Sequence, residues 1–537
     1  MIRIILFIHL CLSPVIFSIY ATEPFETIKN WFLYLAALLI LSMRVKNRRP
    51  QPSDVAIALT VISAALCVFP SVSPRMSIFG NSDGPMGLFT IFSLAIVYWA
   101  TRSAFTRYTD RRILMLSLVI ISLPVNIYAI LQVAGYDTIQ WNRTLTPFGF
   151  LRPFGTLGHP NILGGWLVMV LPFVLLTVFE TLWGLIPLTT LAAALFFTQS
   201  RGCWVAAMAV IIIMFWGTIG TKNVRILALA VGAWALLLLL GAGLAVTLNG
   251  QYGQLILDRF THIFVLDDSR REYWTTAWRI FKANPFMGCG TDAFKLAFEH
   301  ARTEHYWLIE RAGSPNKAHN DFLNTLATQG ILGITAWLSV LGTFLLQARR
   351  SLLKANEAER LFTLALIASG VAYYVQNISG FPSIPTSVLF MTVLALLTPK
   401  TFDSFKQWGL KAAFLVGVLF LICLGHNFIY LPLTASVCVG QAARIEMIDP
   451  TTALAIYDRQ AVRHPDAQIY ASMGFLAERM NRWDIALGAF VRAHELEKAE
   501  AIYALKVGML ANRRDFVQLA HEMEPNNPIF NDVLRQM

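Results

Sequence analysis

Apolar runs of membrane-spanning length recur along about 430 residues of this chain, near 4–20, 30–43, 54–70, 86–101, 112–134, 161–179, 182–198, 202–219, 225–247, 322–347, 361–377, 384–398 and 411–431. A bilayer core needs roughly 20 apolar residues per helix, and in lipid every backbone N–H and C=O must be satisfied inside the segment. Repeated helices are what such a chain can fold into: an all-α, polytopic helical membrane protein with about 12–13 transmembrane helices. Composition agrees, because only 14% of residues are charged, against roughly 25% in soluble domains. The first twenty residues resemble a signal peptide, but "IYATEP" is a weak cleavage site and many spans follow, so they read as an uncleaved first helix.

A net charge of +11 would suit a nucleic-acid binder. Here its placement gives it a topological meaning, and no nucleic acid is expected. The basic residues collect in alternate connections, 44–49, 101–112, 221–225, 348–360 and 399–411. With Arg3 these hold roughly 18 Lys/Arg, against about 5 in the other short connections. That asymmetry predicts a cytoplasmic N-terminus, although the 179–182 link carries no basic residue. Segments 71–85, 135–160, 248–321 and 377–383 then face outward, as does everything after 431. The expected organisation is a membrane domain over 1–431, with a large outer loop at 248–321, and an outer domain over 432–537. The six cysteines form no CxxC pair and indicate neither a metal nor a redox motif. Cys289 and Cys438 share the outer side, which leaves a pairing between them open.

The outer loop far exceeds ordinary connection lengths and reads as structured. "SRREYWTTAWRIFKANP" has an apolar face at helical spacing (Tyr273, Trp274, Ala277, Trp278, Phe281), and Pro285 ends it. "FMGCGTDAFKLAFEH" reads as a glycine turn opening a second helix. Trp and Tyr suit a bilayer surface, where the loop is expected to lie. The tail regains soluble charge levels and repeats itself: Ala453/Ala486, Tyr457/Phe490, Tyr470/Tyr503 and Trp483/Phe516 share an offset of 33. That period is near the 34 residues of tetratricopeptide helix pairs, with two units at most, and plain helical hairpins are the alternative. Either way the tail is a docking or packing module, with a possible protein partner.

Polar residues gather at the expected outer edge: Arg152, Thr156, His159 and Asn161 before the sixth span, Arg201 between the seventh and eighth, Arg270 and Arg271 opening the first loop helix, His319, Asn320 and Asp321 opening the tenth span, and Gln376 and Asn377 ending the eleventh. Each has an ordinary structural use. Arginines snorkel to lipid phosphates, and Asn or Asp caps a helix. As a set they offer more. Guanidinium groups fork onto phosphate oxygens, and a neutral histidine can accept a proton from a hydroxyl. The outer loops hold no acidic pair at metal-ligand spacing, and flanking cations suit Asp267 and Asp268 as well as a metal would. The pattern points to phosphate stabilisation by arginine with a histidine base, and no metal or other cofactor is expected. A membrane-anchored lipid pyrophosphate carrying a sugar chain fits it.

"SIFGNSDGPMGLF" (77–89), "RPFGTLGHPNILGGWLVMVLP" (152–172), "SRGCWVAAMAV" (200–210), "RREYWTTAWRIFKANPFMGCGTDAF" (270–294) and "KAHNDFLNTLATQGILG" (317–333) together resemble the O-antigen ligase and O-antigen polymerase (Wzy-type) superfamily over roughly residues 30–400. The resemblance implies a GT-C-like, metal-independent glycosyltransferase of a bacterial inner membrane. It would take a glycan from undecaprenyl pyrophosphate on the periplasmic face and deliver it, with inversion, to an acceptor hydroxyl. By position it implies His319 as base or acceptor-positioning residue and Arg201 with Arg271, or the adjacent Arg270, as pyrophosphate ligands. Asn320 and the Gly288–Gly290 turn would shape the site, and His159, Arg152 and Asn161 are further binding candidates. Gln329 stands where relatives often carry an acidic or other polar residue. Repeat-bearing tails occur among relatives.

The acceptor is left open between lipid A core, a further repeat unit, and Ser or Thr of a protein, the last making the chain a protein O-oligosaccharyltransferase. A transporter or flippase for the same lipid-linked glycan is an alternative of another class. It calls for charged residues along a mid-membrane path, and spans six to ten have almost none away from their ends. A third alternative, an inert scaffold displaying the tail, predicts that the arginines and His319 share no surroundings.

Overall fold

The computed structural model describes residues 1–43, 50–81, 84–137, 139, 152–219, 232, 267–310, 313–398 and 431–537. The expected spans at 225–247 and 411–431, the basic segments 44–49, 221–225 and 399–411, and loop residues 248–266 lie outside the described residues. Among the described residues the regular structure is helical, without strands, and every other expected span coincides with a helix. These are α1 (Ile2–Leu12), α2 (Glu26–Leu41), α3 (Pro52–Leu66), α5 (Leu88–Ala104), α6 (Tyr108–Val133), α7 (Pro160–Glu180), α8 (Leu185–Phe197), α9 (Arg201–Thr218), α13 (Asp321–Lys354), α14 (Glu357–Asn377) and α15 (Ile384–Leu397), with a short α4 (Pro74–Phe79) between α3 and α5. By length and composition α6, α7, α9, α13 and α14 can each cross a membrane, and α1, α3, α5, α8 and α15 are shorter apolar helices. The chain is an all-α, polytopic membrane protein. The first helix stops at Leu12 rather than near residue 20, because Pro14 has no N–H to offer Leu10.

α7 is buried without interruption from Leu163 to Leu176, as expected of a helix that is apolar all round. It sits in the principal core with Tyr98, Phe344 and Phe390. Small residues bring its neighbours close. A Cβ on Gly164 would lie 2.8 Å from Cys203 Sγ of α9, and one on Gly165 would lie 2.9 Å from Gln376 Oε1 of α14. These approaches set the starts of α7 and α9 and the close of α14 side by side.

Contacts sort the connections into two groups. At one end Arg102 pairs with Asp54, Arg3 with Asp110 at 2.8 Å and Arg112 with Glu180, while Tyr108 Oη donates to the Ala358 carbonyl at 3.2 Å. At the other end Lys29 Nζ donates to Thr156 O at 2.8 Å, Thr156 Oγ1 to Pro14 O at 2.6 Å, Arg152 Nε to Thr198 O at 2.8 Å, and the Ile384 N–H to Glu26 Oε2 at 2.9 Å. The loop helices α10 (Asp268–Ala283), α11 (Phe294–Ala301) and α12 (Glu304–Glu310) belong to this second end. They enclose a small core of Ile280, Phe294, Phe298 and Tyr306.

α13 is broken. Gly330 has φ 60°, ψ −152°, and residues 285–290 fill the gap. The N–H groups of Cys289 and Gly290 donate to the carbonyls of Ala327 and Thr328, each at 3.0 Å. Ile331 and Leu332 donate back to the carbonyls of Pro285 and Phe286 at 2.8 and 3.1 Å. The broken ladder is thus satisfied within protein, as a membrane helix requires. Cys289 and Cys438 are both free thiols.

The tail is α16 (Leu431–Ile445) followed by three helix pairs: α17 (Pro450–Arg463) with α18 (Ala467–Arg479), α19 (Trp483–Leu496) with α20 (Ala501–Ala511), and α21 (Arg514–Met523) with α22 (Pro528–Gln536). Ala453 and Ala486 are buried at matching places, as are Tyr457 and Phe490. The tail rests on the second end of the bundle. Thr22 Oγ1 meets Ser436 Oγ at 2.7 Å, Gly440 packs against the backbone at Tyr20 and Ala21, and the Met523 carbonyl lies 2.6 Å from His300 Nδ1. Arg302 and Glu524 form an ion pair only 4% and 6% exposed.

Candidate active site

Three chain turns converge at the second end of the bundle. α7 begins at His159, whose Nδ1 accepts the Asn161 N–H at 3.1 Å. α9 begins at Arg201, which is 8% exposed and donates from Nη2 to both carboxylate oxygens of Asp267, each at 2.7 Å. α13 begins after His319, a non-glycine residue held at φ 52°.

His319 is fixed from both sides of the chain. The preceding N–H, that of Ala318, donates to Asn324 Oδ1 at 3.1 Å, and the following residue, Asn320, accepts the Leu323 N–H at 3.0 Å. Its ring stacks on Tyr273 of α10 at 5.5 Å and 24°, and meets Phe381 edge-on at 5.1 Å. Nδ1 is buried with no hydrogen-bond partner among the described residues. Burial, and after it the charge of Arg270, lowers the imidazole pKa to about 4. Phe381 also lies 6.4 Å from the His159 ring. That imidazole is pushed to about 3 by burial, followed by the charges of His319, Arg152 and Arg270. Both rings are neutral at ordinary pH and sit in a positive field.

The two adjacent arginines part company. Arg270 is 20% exposed, has its Nε 3.9 Å from Asp267, and acts on both histidines. Arg271 is 65% exposed, 3.9 Å from an equally open Asp268. Successive helix residues point about 100° apart, and the inner face of α10 runs through Tyr273, Thr276, Ala277 and Ile280. This face is turned from the one expected, since Trp278 is 46% exposed. Arg270 is therefore the arginine that joins Arg201 and His319, and Arg271 points away.

Several other expected site residues have structural work. Asn320 is the helix cap just described. Arg152 Nη2 donates to Asn161 Oδ1 at 3.1 Å, which ties the 152–161 turn to Thr198 before Arg201. Gly288 (φ 67°) fits against the backbone of 327–329, and Gly290 (φ 108°) lies against Ser71 and Ser77. Lys317 is buried in an ion pair with Asp292. A cavity of about 150 Å³ lined by Lys317, Asp321, Trp337 and Tyr374 lies beside the cluster. The sequence marks Tyr273 only as a helix-face aromatic. The sequence offers Asp267 to a flanking cation without pointing to Arg201, and nothing local marks Phe381, a loop phenylalanine.

A neutral imidazole with an unused ring nitrogen, set among guanidinium groups, can take a proton from a hydroxyl while the arginines hold an anion. No curated protein matches this chain. A family model described as O-antigen ligase matches residues 186–338, an interval that holds Arg201, Arg270 and His319. The segment 186–338, which supplies the core of this cluster, is thus similar to the O-antigen ligase family.

Proposed function

We propose that the chain transfers a glycan from undecaprenyl pyrophosphate to an acceptor hydroxyl, as an O-antigen ligase or polysaccharide polymerase. The observation that carries this reading is the meeting of Arg201, Arg270 and a neutral, buried His319 inside the family segment. The acceptor oxygen attacks the anomeric carbon and the bond from that carbon to the diphosphate oxygen breaks, inverting the centre. His319 takes the hydroxyl proton, and Arg201 with Arg270 stabilises the departing diphosphate. The basic end of the bundle supports a cytoplasmic N-terminus in a bacterial inner membrane, with the cluster and tail periplasmic. The tail's seat beside the cluster favours, as a second reading, a protein acceptor docked there.

A cell assay of glycan attachment tests the assignment. Arg201→Ala and Arg270→Ala are each expected to lower transfer about 10²–10³-fold, as loss of one charge-stabilising donor does. His319→Ala is expected to abolish it, and Arg271→Ala to leave most of it. Wild-type glycan in the first three variants at normal protein levels would refute the reading. Mass spectrometry of the glycosylated product identifies the acceptor as lipid, polymer or protein.

A further inference from the structure

A cavity of about 370 Å³ lies between the tail and the bundle, and no step of the proposed transfer uses it. Its volume is within the roughly 300–1,000 Å³ of small-molecule sites. One wall is the outer end of α2, with Trp31 and Tyr34. The other is tail, with Asp466 and Ser472 at α18 and Glu497 and Glu500 before α20. The walls are locked together where they meet: Arg75 pairs with Asp466, and Ser73 Oγ donates to Glu497 Oε2 at 2.5 Å.

The lining has a particular chemistry. Trp31 Nε1 is buried with no hydrogen-bond partner among the described residues, and its ring meets Tyr34 edge-on at 5.5 Å. Three carboxylates, Asp466, Glu497 and Glu500, stand against Arg75 and Lys295, which is a poor balance for a phosphate. Carboxylates accept from hydroxyls, indole and ammonium groups donate to them, and aromatic faces cover apolar C–H surfaces. A saccharide presents all of these at once. An extended peptide seeks a strand edge, and the walls here are helices and turns.

The cavity is tied to the reacting centre by a relay of polar contacts. Asn81 lines it, donates its backbone N–H to Asp292 Oδ2 at 2.7 Å, and donates its side-chain amide to Asn316 at 3.2 Å. Asp292 pairs with Lys317, two residues before His319. We propose that this cavity seats the saccharide of the acceptor, holding it so that a neighbouring hydroxyl reaches His319. The proposal rests on the glycosyl-transfer reading above.

The test uses full-length protein in lipid nanodiscs, titrated with core oligosaccharide freed from lipopolysaccharide, with repeat-unit oligosaccharide from the same cells, and with a Ser/Thr-rich peptide. Binding is followed by saturation-transfer NMR. Trp31→Phe removes the indole N–H, Glu500→Gln replaces one acceptor oxygen by an amide donor at nearly constant shape, and Ser472→Phe fills the space. One of the saccharides is expected to bind the wild-type protein and to lose at least tenfold in affinity in each variant, with His319→Ala still binding. In the transfer assay the same three variants should raise the acceptor KM about tenfold with kcat and donor KM little changed, the mark of lost uniform binding. Melting temperatures near wild type exclude misfolding, and Glu500→Gln is the mildest change if the others melt early. Unchanged affinity in all three variants, no saccharide binding to the wild type, or binding of the peptide alone overturns the proposal. Saccharide binding that the variants weaken, in a wild-type protein that transfers no glycan, supports the cavity and sinks the enzyme reading instead.

Discussion

At the scale of single residues, Asp267 competes for the guanidinium that a donor phosphate needs. It engages Arg201 with both oxygens and is 48% exposed, so an incoming diphosphate has water-side access to displace it. With the carboxylate half open to water and the guanidinium buried, the pair contributes on the order of 1 kcal/mol. Asp267→Asn is therefore expected to lower the donor KM about two- to fivefold with kcat little changed, read from steady-state transfer rates. The histidine gives a pH signature. Its pKa of about 4 in the ligand-free protein predicts that the acid limb of kcat/KM, which reports free enzyme, lies near pH 4 and not near 6.5. Bound diphosphate offsets the Arg270 charge, so the limb in kcat should sit higher. The stability sign follows from the same shift. A histidine depressed in the folded protein contributes fully above pH 6.5, and that contribution is lost as pH falls toward 4. His319→Gln should lessen the wild-type fall in melting temperature across that window, with the share of His159 remaining. His319 and Arg201 were legible because polar groups bordering apolar helices stand out. Lys317 and Asn320 look alike in sequence, and only their partners, Asp292 and the Leu323 N–H, reveal them as structural.

At the scale of elements, the break in α13 is what brings the 285–290 turn under His319's helix. At Gly330 a methyl group would lie 2.5 Å from the Phe286 carbonyl carbon, in a conformation that L-residues avoid. Such strain costs of order 1–3 kcal/mol. Gly330→Ala is expected to destabilise the protein by about 2–3 kcal/mol and to impair transfer. Gly342→Ala, on the same helix with nothing within 4 Å of the added carbon, should be neutral or mildly stabilising. Thermal melts of the two variants in detergent make the comparison, and equal melting points would contradict the account of the break. The sequence shows span ten as one apolar run, since glycine is frequent in membrane helices and 327–331 has no other break signal. The rotation of α10 was illegible for a related reason. Apolar residues at a membrane surface face lipid as readily as core, so Trp278 and Phe281 did not report which side packs. Arg270 and Arg271 are told apart only by the burial of Thr276 and Ile280, which the apolar pattern leaves out.

At the scale of the molecule, membrane class and helix order were legible because lipid leaves few alternatives, and the offset of 33 exposed the tail's helix pairs. Where the tail rests was not legible, because its contacts join residues hundreds of positions apart and depend on single partners such as Arg302 and Glu524. That interface carries an acid that titrates out of its usual range. Glu299 of α11 is buried, with Oε2 lacking a hydrogen-bond partner among the described residues. Burial, then Glu500 and Glu524, raise its pKa to about 8, with Lys295 opposing. A carboxyl raised in the folded state contributes most below its ordinary pKa, and the contribution is lost as pH climbs toward 8. Above that, Glu299 ionises beside Glu500 and Glu524, and like charges without water between them repel. The tail should then loosen from α11 while Arg302 and Glu524 remain paired. Limited proteolysis of the full-length protein in nanodiscs is expected to release tail fragments several-fold faster at pH 8.5 than at pH 6, with Glu299→Gln slow at both. A wild-type cleavage rate independent of pH, or a Glu299→Gln rate that rises with the wild type, would show that another group governs the contact.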